Sequence, residues 1–182
     1  MTTRPVLMDG DQVRRTIARI AHEILERHAE PSAFALVGVH RRGVPLAERL
    51  AANMREYSGS APVIGHLDIA LYRDDVGTGV PVLGETHLPF DVSQRPVILV
   101  DDVLYTGRTT RAAIDALFDF GRPPQVQLAV LIDRGHRELP FRPDYVGKNL
   151  PTAYGERVYV RLAEIDGVDE VVLSERLPKE GA

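Results

Sequence analysis

The sequence predicts an α/β fold with a central, largely parallel sheet flanked by helices. Three observations predict it. Short runs rich in Val, Ile and Leu recur as "SAFALVGV", "PVILVDD" and "QVQLAVLID", apolar at successive positions as strands covered on both faces must be. Segments with helical apolar spacing stand between them, and strands that alternate with helices build parallel sheets. The chain has 182 residues, 44% hydrophobic and 26% charged, which suits a single globular domain over residues 1–182.

Asp9 or Asp11 can cap a first helix over about residues 12–28, where Val13, Ile17, Ile20, Ala21 and Ile24 make one apolar face. Residues 32–39 then read as a buried strand that ends in "HRRG". A second helix covers residues 44–57, with Pro45 tolerated in its first turn. Residues 62–72 form a strand, and residues 73–94 are polar, rich in Gly and Pro and without a clean period; such long loops in compact domains tend to be functional or mobile. "PVILVDD" is the next strand, "GRTTRAAIDALFDFG" a helix closed by Gly121, and "QVQLAVLID" another strand. "DYVGKN", "RVYVRL" and "DEVVL" supply shorter strands.

The totals exclude several classes of function. With no cysteine there is no disulfide framework, thiolate metal site or thiol nucleophile. The first residues, "MTTRPVLMDGDQVRR", lack the apolar core of a signal peptide, and no apolar run is long enough to span a bilayer. A cytoplasmic protein with no membrane partner is expected. A net charge of −4 argues against bulk nucleic-acid binding but leaves room for a local basic patch.

The chemistry concentrates in "ILVDDVLYTGRTTRAAIDAL". A parallel strand leaves its sheet at the C-terminal edge, where open α/β folds place ligands, and Asp101 and Asp102 fall there. Thr106, Gly107, Arg108 and Thr109 form the turn at the positive end of the next helix, whose unpaired N–H groups and dipole favour an anion. The acids repel a phosphate and suit sugar hydroxyls or a hydrated Mg²⁺. One ligand satisfies both ends, a ribose with its 5′-phosphate in the turn and its diol at the acids. The plainer alternative is that the acids only end the strand while Thr106 caps the helix. No GxxxxGK[ST] and no GxGxxG occurs, which removes the P-loop and dinucleotide-fold readings.

The order of apolar run, paired acids and YTGRT resembles the signature of the type I phosphoribosyltransferases, which bind phosphoribosyl pyrophosphate (PRPP). The resemblance implies that family's fold, with a small hood over the nucleobase site and a mobile lid loop. It implies that Val103, Leu104, Tyr105, Thr106, Gly107, Arg108 and Thr109 hold PRPP or a nucleotide, and that Asp101 and Asp102 act in catalysis and meet Mg²⁺ through water and PRPP hydroxyls. A second anion site is then needed for pyrophosphate. "GVHRRG" can supply it, Arg41 and Arg42 offering forked donors; taken alone it is an ordinary solvated basic turn. The lid maps to about residues 71–90, where Arg73 is placed to neutralise the departing pyrophosphate, although the same stretch can be a plain surface insertion. Tyr105 stands where purine-salvage relatives carry an aspartate, which counts against hypoxanthine or guanine. The hood maps mainly to about residues 133–162, with Asp133 and Arg134 beside uracil.

"LDIALYRDD", "RGHRELP" and "DYVGKNLPT" narrow the resemblance to a family of pyrimidine-operon regulators that are also uracil phosphoribosyltransferases. That family implies two activities: UMP and pyrophosphate from uracil and PRPP, and attenuation of transcription by binding a stem-loop of pyr mRNA when UMP or UTP is bound. It also implies a homodimer, or a tetramer. Its RNA surface maps to Arg19, His22, Arg27, His136, Arg137, Arg142 and Lys148, basic groups from two segments that would supply the local field the net charge lacks. Each of them alone reads as a solvated side chain. Two narrower readings stay open: a salvage enzyme without an RNA role, and a nucleotide-sensing RNA-binding regulator with negligible catalysis.

Overall fold

The computed structural model describes residues 5–74 and 83–175. The elements run β1 (Val6–Met8), α1 (Gly10–His28), β2 (Ala35–Val39), α2 (Gly43–Ser58), β3 (Val63–Leu67), β4 (Val97–Leu104), α3 (Arg108–Phe118), β5 (Val126–Asp133), β6 (Tyr145–Asn149), β7 (Glu156–Arg161), α4 (Ala163–Asp166) and β8 (Glu170–Glu175). The main sheet has five strands in the order β3-β2-β4-β5-β6, and every pairing in it is parallel. The predicted fold class is therefore observed.

Successive residues of a strand face opposite ways, and β4 shows the consequence. Ile98 and Val100 join the cluster with Ile17 and Ile20 of α1 and Leu46 and Leu50 of α2. Val97 and Leu99 join Ala113 and Leu117 of α3 on the other side. α1 starts where Asp9 accepts from the Gln12 amide at 2.8 Å and the Gln12 side chain accepts from the Asp9 amide at 2.9 Å, a reciprocal cap. Asp11, the alternative cap, pairs instead with Arg14 at 2.9 Å.

Strand placement departs from expectation at several points. β2 begins at Ala35 and not at residue 32, because Pro31–Ala33 form a 3-10 turn. The strand predicted to reach residue 72 stops at Leu67, because the Asp68 carboxylate accepts from the Ala70 amide at 3.0 Å and turns the chain. β4 runs past Asp102 to Leu104, since β5 is long enough to pair Val103 with Ile132 and Leu104 with Asp133. Residues 145–149, predicted within the hood, extend the main sheet as its edge strand β6.

The second sheet is antiparallel, in the order β1-β8-β7, so the layer expected over about residues 133–162 draws on the chain's first strand and on residues up to 175. Neither β1 nor the one-turn α4 was predicted; both are too short to carry a period. Arg49 of α2 fastens this layer, donating to Glu164 at 2.6 and 2.8 Å and to Asp169 at 2.8 and 2.9 Å.

The hydrogen bonds from Arg49 hold the carboxyls of Glu164 and Asp169 below their ordinary values of 4.5 and 3.8. Carboxyls lowered in the fold contribute stability above those values and lose it as the pH falls through the folded ones. Arg49→Met is expected to cost about 1 kcal/mol at neutral pH, the scale of a partly exposed network, and much less in acid. Chemical denaturation of both proteins at the two pH values checks this.

Candidate active site

The site lies along the C-terminal edge of the main sheet, where β2, β4 and β5 end. Gly107 ends the turn after β4 with φ of 92°, a region that side chains disfavour. A Cβ there would lie 3.0 Å from Phe141 and 3.3 Å from Leu139. α3 begins at Arg108, so its first N–H groups have no carbonyl one turn earlier to meet. The Thr106 hydroxyl accepts from the Arg108 amide at 3.2 Å. The Arg108 guanidinium points away from the turn to Glu138 and Asp74, each at 2.8 Å. What the turn offers an anion is thus backbone and hydroxyl donors, as its sequence suggests.

Asp101 and Asp102 sit half-buried within the last residues of β4. One oxygen of each accepts from the next backbone amide at 2.8 Å. Burial lifts the Asp101 carboxyl well above its usual range, the Asp102 charge lifts it further, and Arg73 draws it only partly back. Burial also raises Asp102, against the hydrogen bond from Asp101, the Val103 amide and Arg42. This is an excess of negative charge that a diol or a cation relieves. Among the described residues no three acids or histidines gather into a metal site. The pair therefore fits a cation that brings its own water and ligand oxygens.

Across the sheet edge, the two glycines of "GVHRRG" set the loop before α2. A Cβ on Gly38 would lie 2.6 Å from the Gly43 carbonyl oxygen, and one on Gly43 would lie 2.2 Å from that of Val100. Only bare backbone brings this loop against β4 and its acids. The His40–Arg41 peptide bond is cis. The two arginines then part. Arg41 lines a cavity of about 470 Å³ with His40, Asp68, Arg73 and Gly84, whereas Arg42 donates to Asp166 of the hood at 2.8 and 3.3 Å. Asp68 shapes the cavity by accepting from the Gly84 amide at 2.9 Å. Residues 75–82 of the anticipated lid lie outside the described residues.

The third wall follows β5. Arg134 is 5% exposed, with its guanidinium 3.9 Å from the Tyr105 ring centroid and its Nε donating to the Thr152 hydroxyl at 3.1 Å. Burial lowers its pKa from the ordinary value. Asp133 is committed to the loop, accepting from the Gly135 amide at 3.0 Å and from Arg137 at 2.6 Å. His136 lies edge-on to Tyr105 and to Tyr154, with ring centroids 6.2 and 5.7 Å away. Thr152 and Tyr154 were not singled out from sequence. They sit in an aperiodic stretch, and the only signal near them was the quoted "DYVGKNLPT".

The residues expected at RNA divide into four groups. Arg19, Arg27 and Lys148 share the face where α1 meets β6. Arg19 donates to the carbonyls of Val146 and Gly147, Arg27 lies 3.7 Å from Asp144, and Arg19, Lys148 and Arg15 line one cleft of about 270 Å³. His22 instead stacks on Tyr57 of α2, with ring centroids 3.8 Å apart. His136 and Arg137 belong to the wall after β5, where Arg137 donates inward to Tyr105 O and Phe141 O at 2.9 Å. Arg142 is exposed between these regions.

The sequence matches the phosphoribosyl transferase domain family over residues 7–163. It is 60% identical over 172 residues to bifunctional protein PyrR of Deinococcus deserti, covering 93% of this chain and 94% of that one. It is 58% identical over 171 residues to the protein of the same name from Pelotomaculum thermopropionicum, covering 93% and 94%. Among solved structures, the hypoxanthine phosphoribosyltransferase of Trypanosoma cruzi superimposes with a TM-score of 0.73 at 17% identity, over 95% of this chain and 97% of that one. At that identity the likeness concerns the fold.

Proposed function

This chain belongs to the phosphoribosyl transferase domain family, among the relatives called bifunctional protein PyrR, and we propose that it makes UMP and pyrophosphate from uracil and PRPP and also binds pyr mRNA under nucleotide control. The observation that carries the first activity is one sheet edge with three complementary sites: an amide-lined turn at Gly107, the Asp101–Asp102 pair, and a cavity lined by Arg41 and Arg73.

In the reaction the bond from the anomeric carbon to pyrophosphate breaks and the bond to uracil N1 forms, with the N1 proton lost to solvent and cationic character on the ribose. Stabilising the leaving group and holding the sugar are the main electrostatic tasks. The turn from Tyr105 to Thr109 holds the 5′-phosphate, with Val103 and Leu104 shaping the approach. Asp101 and Asp102 take the ribose hydroxyls, and their charge opposes the charge that develops on the ring. Arg41 and Arg73 meet the pyrophosphate. Arg42 acts there only on release from Asp166. Arg134, over the Tyr105 ring, and the Asp133 loop border the uracil. Asp101 and Asp102 would hold Mg²⁺ through water and the PRPP hydroxyls, and the ion would supply positive charge to neutralise the pyrophosphate.

Purified protein with PRPP, Mg²⁺ and labelled uracil is expected to yield UMP, with little product from hypoxanthine. The reverse preference would overturn the base assignment. The RNA activity rests on Arg19, Arg27 and Lys148 converging on one face, with UMP or UTP as effector, in a cytoplasmic homodimer or tetramer. Gel shifts with a pyr leader stem-loop, at several salt concentrations, with and without UMP, test it. No UMP-dependent affinity would leave only the enzyme.

A further inference from the structure

A short stretch of chain joins the phosphate turn to the basic face. At one end, the amides of Glu138 and Leu139 both donate to the Thr106 carbonyl at 2.9 Å. The Glu138 carboxylate holds Arg108 at 2.8 Å, and Phe141 and Leu139 lie 3.0 and 3.3 Å from where a Cβ on Gly107 would stand. At the other end, Asp144 exchanges hydrogen bonds with the backbone of Leu128 at 2.8 and 2.9 Å, and its second oxygen lies 3.7 Å from Arg27 of α1. Exposed Arg142 stands between the two ends.

We infer that residues 138–144 form a strut that carries occupancy of the phosphate turn to the basic face, with Glu138 as its positioning residue. The inference rests on the reading of this chain as a nucleotide-dependent RNA binder, and it supplies the physical link that reading lacks. A 5′-phosphate in the turn competes for the Arg108 amide, which the Thr106 hydroxyl now fills. Releasing that hydroxyl turns Thr106, whose carbonyl anchors two strut amides. The phosphate charge also draws on Arg108 and loosens its hold on Glu138. Pro140 and Pro143 fix φ within the strut, so a displacement at one end is passed along rather than absorbed. Arg137, with its donors turned onto Tyr105, Asp133 and Phe141, ties the start of the strut to the residues before the turn.

Coupling between two sites is reciprocal, and spatial continuity alone does not establish it. The test therefore measures affinity for a labelled pyr leader stem-loop with and without UMP, and affinity for UMP with and without that RNA. In the unaltered protein the two ratios should agree, at about 5- to 150-fold. In Glu138→Gln both ratios should fall toward one while uracil-dependent UMP synthesis persists. Asp144→Asn, which loosens the far end, should also lower them and decides the matter if Glu138→Gln does not melt cooperatively. A merely structural role would weaken RNA binding equally in both nucleotide states and leave the ratios alone, which overturns the strut. Unchanged ratios in both variants overturn it too, with the reading of function intact. Absence of UMP-dependent RNA binding in the unaltered protein overturns both.

Discussion

Asp101→Asn is expected to abolish most UMP synthesis and at the same time raise the melting temperature. Loss of one preorganised group facing developing charge costs on the order of 10²–10³ in turnover. The gain in stability follows from the same burial. A carboxyl whose folded pKa is raised binds its proton more tightly folded than unfolded, so the ionised form is the one the fold disfavours. At neutral pH Asp101 therefore subtracts stability, and the penalty fades as the pH falls through its raised value toward the ordinary 3.8. Asparagine keeps an oxygen to accept from the Asp102 amide, a 2.8 Å bond here, and removes the charge. Thermal melts should show the variant ahead at neutral pH, by about 2–4 °C per kcal/mol for a chain of this size, and level with the parent in acid. Equal melting temperatures at neutral pH would mean the pair is already relieved by a partner.

Among the described glycines, Gly43→Ala should be the most damaging alanine substitution. Its Cβ would sit 2.2 Å from the Val100 carbonyl oxygen and 3.4 Å from the Asp101 Cα, and both contacts are backbone, which cannot swing aside. Either α2 lifts off β4 or the strand bends. Forced overpacking of this kind costs about 1–3 kcal/mol, and here the displaced groups are the acid pair and the Arg41 loop. UMP synthesis should fall more steeply than stability. Gly155→Ala is the control: a Cβ there meets nothing within 4 Å, and a change within about 0.5 kcal/mol is expected. Denaturant titrations of the two variants, with UMP synthesis assayed alongside, check the contrast. Indifference to Gly43→Ala would mean the loop is not seated on β4.

Much of the site could be seen along the chain because its chemistry is local. An apolar run, two acids, a hydroxyl–glycine turn and a helix follow one another within about twenty residues, and the parallel topology then dictates that they share one edge. The arginine loop was visible for the same reason, though not the parting of Arg41 from Arg42. That depends on Asp166, a residue far along the chain in a one-turn helix without a period. Asp133 reads as a pocket acid until its partners Gly135 and Arg137 are seen. Arg137 reads as a surface side chain because "RGHRELP" is polar, but the fold turns it inward, whereas His136 stays exposed, edge-on to Tyr105 and Tyr154.

Periodicity and turn chemistry, which act over a few residues, were enough to place the parallel sheet, its covering helices and the hydroxyl–glycine turn before α3. The second sheet, the seating of Arg42 on Asp166, the separation of His22 from Arg19 and Arg27, and the strut from Thr106 to Asp144 came from long-range packing. A side chain's partner is chosen by whichever distant segment is brought beside it, and no local pattern encodes that meeting.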